Sequence, residues 1–238
     1  MFVYPDMEAV LVGKFEKGTM IAARPSKIVK ERCHKGVKEI EVSKPKADAP
    51  VFTYNRPTRS RIGDQPRVMD PFDKKYIYIG NGKKDDGVFA KQDIKKGDVF
   101  VYYSGLFWNM TEQALYTADT FHNQTMDEYW SIHKNLMNFN GPVVIHLPEP
   151  YWNISNYRAT LGHKINHSFI NSKSNFGKAY HPRFGNIRSL YALADIGKGE
   201  EIFTNYGYRI GAKRVPEWYS ELYTKEYGKE WPTQKTSV

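Results

Sequence analysis

Hydrophobic residues along this chain fall mostly into short clusters separated by turn-forming residues, a pattern typical of β-strands. Near the N-terminus, residues 2–4, 10–15 and 19–22 form three such clusters, and Gly18 stands in the turn between the last two. The pattern predicts a small hairpin unit. Because a lone hairpin is only marginally stable in water, we expect it to pack against the rest of the protein.

The next two segments lack such clusters. Residues 23–50 are rich in charge and contain Pro45 and Pro50, so they predict a loop or a weak hairpin. Residues 51–71 are polar and also contain proline, which predicts a connector that lies on the following domain.

Short hydrophobic runs return after residue 75. They predict strands at residues 76–79, 99–103, 143–145 and 187–194. Residues 111–118 predict one or two helical turns. Many short strands with turns between them indicate a mixed fold that is mainly β.

The spacing of hydrophobic residues changes after Pro216. Trp218 and Leu222 recur at a helical interval, Pro216 suits the first turn of a helix, and Gly228 suits its end. These positions predict a C-terminal helix.

The length and composition limit the number of domains and indicate what the tyrosines can do. A chain of 238 residues with 40% hydrophobic residues can form one large domain, or one domain with a small companion. The 17 tyrosines are unusually many. Tyrosine combines a large apolar ring with a polar tip, so it suits a lined channel as well as a core. The core is the default expectation for most of them.

Charge is concentrated near the N-terminus. The net charge is +9, and residues 24–61 contain eleven Lys/Arg and four Asp/Glu. This segment is either a solvated basic face or a surface that attracts nucleic acid or chromatin. No DNA-reading motif accompanies it, so charge alone does not indicate the function.

The cysteine count and the hydropathy limit the kind of site and the cellular compartment that we expect. Cys33 is the single cysteine, which excludes an internal disulfide and a cysteine-based zinc site. No apolar run is long enough for a membrane span or a secretory signal. We therefore expect an intracellular protein with no membrane association; the sequence does not give its oligomeric state.

Two segments contain the most informative chemistry. Residues 162–168 read Gly-His-Lys-Ile-Asn-His-Ser and place an amide, an imidazole and a hydroxyl side by side. Residues 199–208 read Gly-Glu-Glu-Ile-Phe-Thr-Asn-Tyr-Gly-Tyr and place two phenols around a glycine. Neither segment has the layout of a metal site or of a nucleophile with its base.

Together these segments resemble the two signature motifs of a SET domain. The sequence is most similar to the histone H3 lysine methyltransferases that carry MORN repeats before the SET domain. Further matching segments are Val3-Tyr4-Pro5-Asp6, Leu147-Pro148-Glu149-Pro150-Tyr151, His181-Pro182-Arg183-Phe184-Gly185 and Pro216-Glu217-Trp218-Tyr219. The likeness extends over nearly the whole chain and is weakest from about residue 23 to 50.

The resemblance implies small β-sheets around a pseudoknot that brings Asn166 and His167 beside Tyr206. It divides the chain into a MORN-like hairpin with a basic linker (1–50), a connector (51–74), a SET domain (75–209) and a C-terminal helix segment (210–238).

The resemblance also implies the chemistry, which is transfer of a methyl group from S-adenosylmethionine to a protein lysine. It assigns the lysine channel and the reaction to Tyr206, Tyr103, Tyr208 and His167. It assigns cofactor binding to Lys84, Asp85, Asp86, Asn135, Asn166, His167, Trp218 and Glu221, and Trp130 matches in the same way as Asn135. The expected substrate is a histone tail, H3 above all, or another basic protein tail, and the expected location is the nucleus, with the cytoplasm as a further possibility.

Such a site must present the substrate lysine as a neutral amine. A free lysine amine has a pKa of about 10.4, so it is charged at neutral pH and has no lone pair to donate. A narrow apolar channel favours the neutral amine, and hydroxyl and carbonyl groups can orient its lone pair. Such a site needs no acidic base. It needs a channel that joins the cofactor to the lysine.

Two departures from the family motifs keep a second hypothesis open. The Gly-X-Gly turn before Val88 reads Asp85-Asp86-Gly87, so a residue with a positive φ at Asp85 would be strained unless the turn differs. A glycine that would match Lys134 is absent as well.

The second departure follows Ser168, where residues 172–178 contain an extra residue and lack a tyrosine in register. Phe176 and Tyr180 are candidates for that place. A missing phenol would loosen the limit on methylation or lower activity. The alternative hypothesis is a degenerate SET domain that binds a protein tail or chromatin without catalysis. A third, weaker idea is recognition of the C-terminal Thr236-Ser237-Val238 by a partner.

Overall fold

The computed structural model describes residues 1–4, 8–35, 37–57, 62–63, 65–83, 85–109, 136–141, 143–208, 210 and 215–232. The strands are β1 (Phe2–Val3), β2 (Ala9–Glu16), β3 (Thr19–His34), β4 (Val37–Val42), β5 (Ile77–Asn81), β6 (Asp86–Ala90), β7 (Val99–Tyr103), β8 (Leu106–Asn109), β9 (Leu136–Asn140), β10 (Val143–His146), β11 (Asn166–His167), β12 (Ser172–His181), β13 (Gly185–Ala192) and β14 (Phe203–Thr204). The α-helices are α1 (Pro71–Tyr76) and α2 (Glu217–Tyr227). The prediction of a mainly β fold with a C-terminal helix is confirmed.

The N-terminal sheet has the strand order β1-β2-β3-β4. Its first hairpin is as predicted, and of the two alternatives for residues 23–50, a loop or a weak hairpin, the hairpin is present over residues 28–34 and 37–42. Strand β3 continues to His34 and pairs with β4. Lys30 lies opposite Glu41 and Arg32 opposite Glu39, so opposite charges face each other across the strands. This pairing explains how a charge-rich segment forms a hairpin.

The central sheet has the strand order β11-β14-β12-β13-β7. Strand β14 lies between β11 and β12 and is parallel to both, although it follows them by some thirty residues in the chain. The connection from β11 to β12 (residues 168–171, the crossover) therefore passes from one side of β14 to the other. This threading brings residues 166–167 next to the segment that follows β14, as the resemblance implied.

Smaller sheets complete the domain, with the strand orders β8-β10-β9 and β5-β6. A continuous hydrophobic core joins the N-terminal sheet to the central sheet through residues such as Tyr4, Phe72, Val101 and Leu190. Tyr76, expected to begin a strand, instead ends α1, because Asp70 caps the preceding turn by accepting a hydrogen bond from Phe72 N (2.9 Å).

The C-terminal helix begins after Pro216 and ends at Gly228, whose φ of 65° is left-handed. Both boundaries match the sequence prediction. The helical turns expected at residues 111–118 lie outside the described residues. No helix in the described part of the chain is long and apolar enough to cross a membrane.

Candidate functional site

The threading of β14 places His167 against Tyr206. The Nδ1 atom of His167 lies 3.2 Å from Tyr206 N and 3.1 Å from the Thr204 carbonyl oxygen, and the ring tautomer decides which of the two it bonds. The rings of His167 and Tyr206 are 5.1 Å apart. Two residues that are separated by 39 positions in the sequence thus form one corner of the site.

Tyr206 has a fixed orientation. Its hydroxyl donates to the carbonyl oxygen of Ile165 (2.8 Å), the residue before the Asn166–His167 pair. The turn that follows is held by Asn205, whose Oδ1 accepts from Gly207 N (2.8 Å). Gly207 has a φ of 69°, which a residue with a side chain rarely adopts. Burial raises the pKa of Tyr206, and the nearby Tyr208 phenol raises it further, so Tyr206 stays neutral.

Tyr103 ends β7 and is a buried polar residue of the site, next to Ser104, whose hydroxyl also lacks a partner among the described residues. The side chain of Tyr103 is 4% exposed, and its hydroxyl has no hydrogen-bond partner among the described residues. Burial raises the pKa of Tyr103 well above its usual value, with further contributions from Tyr206 and Tyr157, so its phenol is also neutral. A buried hydroxyl without a partner costs about 1–3 kcal/mol. Such a group is typical of a place where a ligand binds.

Tyr157 shows the ordinary condition of a buried phenol in the same region. Its hydroxyl lies 2.9 Å from Thr160 Oγ1 and 3.4 Å from the carbonyl oxygen of Ser104. Burial raises the pKa of Tyr157 to about 12. Tyr157 therefore has structural partners, whereas Tyr103 has none among the described residues.

Helix α2 adds an aromatic wall. The ring of Tyr219 stacks on His167 (4.6 Å between centroids, 21° between planes), and Tyr208 lies 4.7 Å from Tyr219. Trp218 is half-buried, with its ring 6.0 Å from the rings of both Tyr206 and His167. Glu221 lies one turn further along α2 and is exposed.

Asn166 is held by a carboxylate that the sequence reasoning missed. Its side-chain amide donates to Glu201 Oε1 (3.1 Å) and to the carbonyl oxygen of Asp86 (3.4 Å). Glu201 Oε2 accepts from Lys83 N (3.1 Å). A Cβ atom added to Gly82 or Gly87 would come within 2.6 Å of Glu201 Oε1. Glu201 thus ties the β5–β6 turn to Asn166 and leaves mainly the backbone of Asn166 for a ligand.

The altered glycine turn is not strained. Asn81 pairs with Asp86 at the end of the β5–β6 hairpin, and Gly82 N donates to the carbonyl oxygen of Asp85 (2.7 Å). Asp85 does not adopt a positive φ, so the turn differs from one that requires glycine there. The carboxylate of Asp86 forms an ion pair with Lys164 (3.1 Å). Three further candidates, Lys84, Trp130 and Asn135, lie outside the described residues.

A bulge absorbs the extra residue after the Asn-His-Ser motif. The register of β12 against β14 shifts between Ser172 and Ser174. Phe176 then lies partly buried against the core. Tyr180 is 49% exposed and pairs with Asn186 near the far end of the hairpin, so it does not fill the place of the missing tyrosine.

Other kinds of site find no support in the described part of the chain. It contains no group of three His, Cys, Asp or Glu side chains that could hold a metal. Cys33 is exposed and unpaired. A surface cavity of about 510 Å³, lined by residues that include Arg67, Tyr151 and Asn156, contains none of the candidate residues.

Comparison with known proteins adds a family. The family model of the SET domain matches residues 85–207. The chain is 29% identical over 247 aligned residues to histone-lysine N-methyltransferase SETD7 of Halocynthia roretzi, and covers 98% of itself but 59% of that protein. The chain therefore corresponds to somewhat more than half of the length of that relative.

Solved structures show partial similarity. One is ctPRC2 in an autoinhibited conformation bound to S-adenosylmethionine, at 20% identity and a TM-score of 0.41, covering 64% of this chain and 17% of that one. Another is polycomb repressive complex 2 of Chaetomium thermophilum, at 20% identity and a TM-score of 0.37, covering 59% and 16%. The assignment rests on the family model, which spans more than half of the chain and both segments of the site: this chain belongs to the SET domain family.

Proposed function

We propose that this protein is a protein-lysine N-methyltransferase that uses S-adenosylmethionine. The observation that carries the proposal is the buried hydroxyl of Tyr103, which has no partner among the described residues and lies near enough to Tyr206 for the two neutral phenols to interact electrostatically. Membership of the SET family supports it, as does the similarity to a protein named as a histone-lysine methyltransferase.

The residues present fit this cofactor. The backbone of Asn166 and His167, the half-buried indole of Trp218 and the turn around Asp85 and Asp86 would hold it, with Lys84, Asn135 and Glu221 as further candidates. Trp218 supplies an apolar face beside His167, which suits an adenine ring. When bound, the cofactor supplies an activated methyl group on a positively charged sulfur.

The residues of the channel act on the lysine amine. Burial among Tyr103, Tyr206 and Tyr208 favours the neutral amine, which has released its proton to solvent before it enters. The Tyr206 hydroxyl already donates to Ile165, so its oxygen is free to accept a hydrogen bond from the amine. The Tyr103 hydroxyl gains the partner that it lacks. Two fixed oxygens then orient the lone pair, and this positioning is the main contribution to the rate.

We propose that the substrate is a histone tail, H3 above all, or another basic tail, and that the main product is monomethyl-lysine. Because residues 172–178 contain no tyrosine in register, a smaller amount of more highly methylated lysine would accompany it. The tail adds as an extended strand beside the site. This role is compatible with the nucleus, where the basic segment 24–61 would face the phosphates of chromatin.

The competing function is a SET domain that binds a tail without catalysis. Two sequence departures motivated it, and the unstrained turn at Asp85 removes one of them. The absence of a tyrosine from residues 172–178 is the observation that still favours it.

Mass spectrometry of a histone mixture, incubated with the protein and labelled cofactor, separates the two functions. The enzyme hypothesis predicts labelled lysine in at least one histone and heat release on titration with cofactor in a calorimeter. Cofactor binding without transfer would favour the binding module, and absence of both would reject the proposed function. Tyr180→Phe is the matched control, because it removes an exposed phenol outside the site.

A further inference from the structure

Glu226 lies near the end of α2. None of the roles described so far involves this residue. Its carboxylate accepts three hydrogen bonds from the crossover. Oε2 accepts from Phe169 N (2.8 Å) and Ile170 N (3.2 Å), and Oε1 accepts from the Ser168 hydroxyl (3.1 Å). The Ser168 hydroxyl in turn accepts from Asn171 N (3.0 Å). One side chain of the helix thus accepts directly from two amides of the crossover and, through the Ser168 hydroxyl, supports a third.

The crossover needs such an acceptor. It passes across β14 in four residues: Ser168 N donates to the Thr204 carbonyl oxygen (3.4 Å), whereas the amides of Phe169 and Ile170 donate to Glu226. Phe169 is half-buried and Ile170 is exposed, so the acceptor matters most for the Phe169 amide. Because these residues follow directly after His167, any change in the crossover moves the pair that forms one corner of the site.

Aromatic side chains also pack α2 against the crossover. Phe169 contacts Tyr219 (4.7 Å between ring centroids), Tyr223 (5.2 Å) and Tyr227 (5.8 Å), and it lies 4.3 Å from the ring of His167. The packing is apolar and fixes no rotation about the helix axis by itself. The charged hydrogen bonds of Glu226 are directional, so they fix where along the crossover the helix docks.

From these contacts we infer that Glu226 is a positioning residue that sets the cofactor side of the site. It docks α2 on the crossover and thereby fixes Trp218, near the start of the helix, beside His167 (6.0 Å between ring centroids). This inference rests on the proposed function, because the ligand that it positions is the cofactor. Glu226 touches no reacting atom; its effect passes through the helix and the crossover.

Three variants test the inference on the full chain: Glu226→Ala, Glu226→Gln and Glu230→Gln. Glutamine at 226 keeps one acceptor oxygen and loses the charge. Glu230 lies four residues further and is exposed, so Glu230→Gln makes the same change of charge without touching the crossover. Amide hydrogen exchange of residues 168–171 and of α2 is measured first, together with the melting temperature.

We expect Glu226→Ala to lose protection at Phe169 and Ile170 by at least about tenfold, Glu226→Gln to lose less, and Glu230→Gln to match the wild type. The Kd for S-adenosylmethionine is expected to rise about ten- to hundredfold in Glu226→Ala, while turnover at saturating cofactor changes much less. The split between Kd and turnover distinguishes positioning from general destabilisation.

Unchanged exchange in Glu226→Ala would overturn the docking role. Lost protection with an unchanged Kd would overturn the positioning role while leaving the proposed function intact. A wild type that binds no cofactor would overturn both the positioning role and the proposed function. Cofactor binding by the wild type is therefore measured before any variant is compared.

Discussion

Two buried polar clusters in this molecule are built in opposite ways. In the first, the carboxylate of Asp70 accepts from Tyr4 Oη (3.0 Å), lies 3.0 Å from His181 Nε2 and 3.9 Å from Arg183 Nη1. In the second, the hydroxyl of Tyr103 has no partner in the described part of the chain. A closed cluster holds structure together, and an open one is available to a ligand.

Position explains the difference. Tyr4 follows β1, Asp70 precedes α1, and His181 and Arg183 flank the β12–β13 turn. The closed cluster therefore joins the N-terminal sheet to the SET domain. Burial alone would raise the pKa of Asp70, but His181 and then Arg183 outweigh it and lower the pKa below its usual value. The carboxylate is thus ionised and paired, as a structural charge must be.

Breaking the closed cluster should have the largest effect on stability. We expect Asp70→Ala to lower the free energy of unfolding by about 3–5 kcal/mol, because Arg183 is left buried without its anion. Chemical denaturation measures this loss. The exposed Asp195→Ala is the control, since its ion pair with Lys95 lies at the surface, where solvent screens it. Equal losses in both variants would show that the cluster has no special role.

Breaking the open site should affect the reaction instead. Tyr206→Phe removes the hydroxyl that is fixed by Ile165, and we expect the rate of methyl transfer to fall about 100-fold or more while cofactor binding is largely kept. Single-turnover assays with labelled cofactor measure the rate. Undiminished turnover would reject the role of this hydroxyl.

Tyr103→Phe sharpens the comparison because stability and activity should move apart. Removing a buried hydroxyl without a partner is expected to leave the melting temperature unchanged or to raise it, whereas transfer falls about tenfold. Tyr4→Phe should do the reverse, with a lower melting temperature and unchanged transfer per folded molecule. Loss of stability in Tyr103→Phe would mean that the phenol has a structural partner.

The pH dependence of stability also tests the closed cluster, with a smaller expected effect. Because the folded pKa of Asp70 is lowered, its contribution to stability is fully present above its unfolded pKa of about 3.9 and is lost as pH falls through the folded value. The pKa of Asp73 is shifted in the opposite direction. Burial, and then the charge of Asp70, raise its pKa, so its contribution is lost as pH rises from the unfolded value to the folded one.

Unfolding free energy measured below pH 5 should therefore fall more steeply in the wild type than in Asp70→Asn. Parallel curves for the two proteins would contradict the assignment of a lowered pKa to Asp70.

Hydrophobic patterning predicted the strands of the first hairpin, of β7 and of β10, and both ends of α2, because these features depend on local spacing. The meeting of Asn166, His167 and Tyr206 followed from the resemblance, since nothing in local spacing places β14 between β11 and β12. Glu201 and Glu226 were not predictable. Each satisfies backbone amides that lie 118 or 57 residues away in the chain, and no periodicity encodes an acceptor at such a distance.

The β3–β4 hairpin was predicted only as an alternative to a loop, for a related reason. In it Lys30 faces Glu41 and Arg32 faces Glu39 across the strands, and Lys38 forms an ion pair with Glu31 (3.0 Å). Read along the chain, the same residues are only a run of mixed charge.

A crystal structure with S-adenosylhomocysteine and a lysine-containing histone peptide tests the proposed function most directly. We expect the lysine Nζ to lie within hydrogen-bond distance of Tyr103 Oη and the adenine to contact Trp218. A peptide bound elsewhere, with the Tyr103 hydroxyl still lacking a partner, would contradict the proposed function.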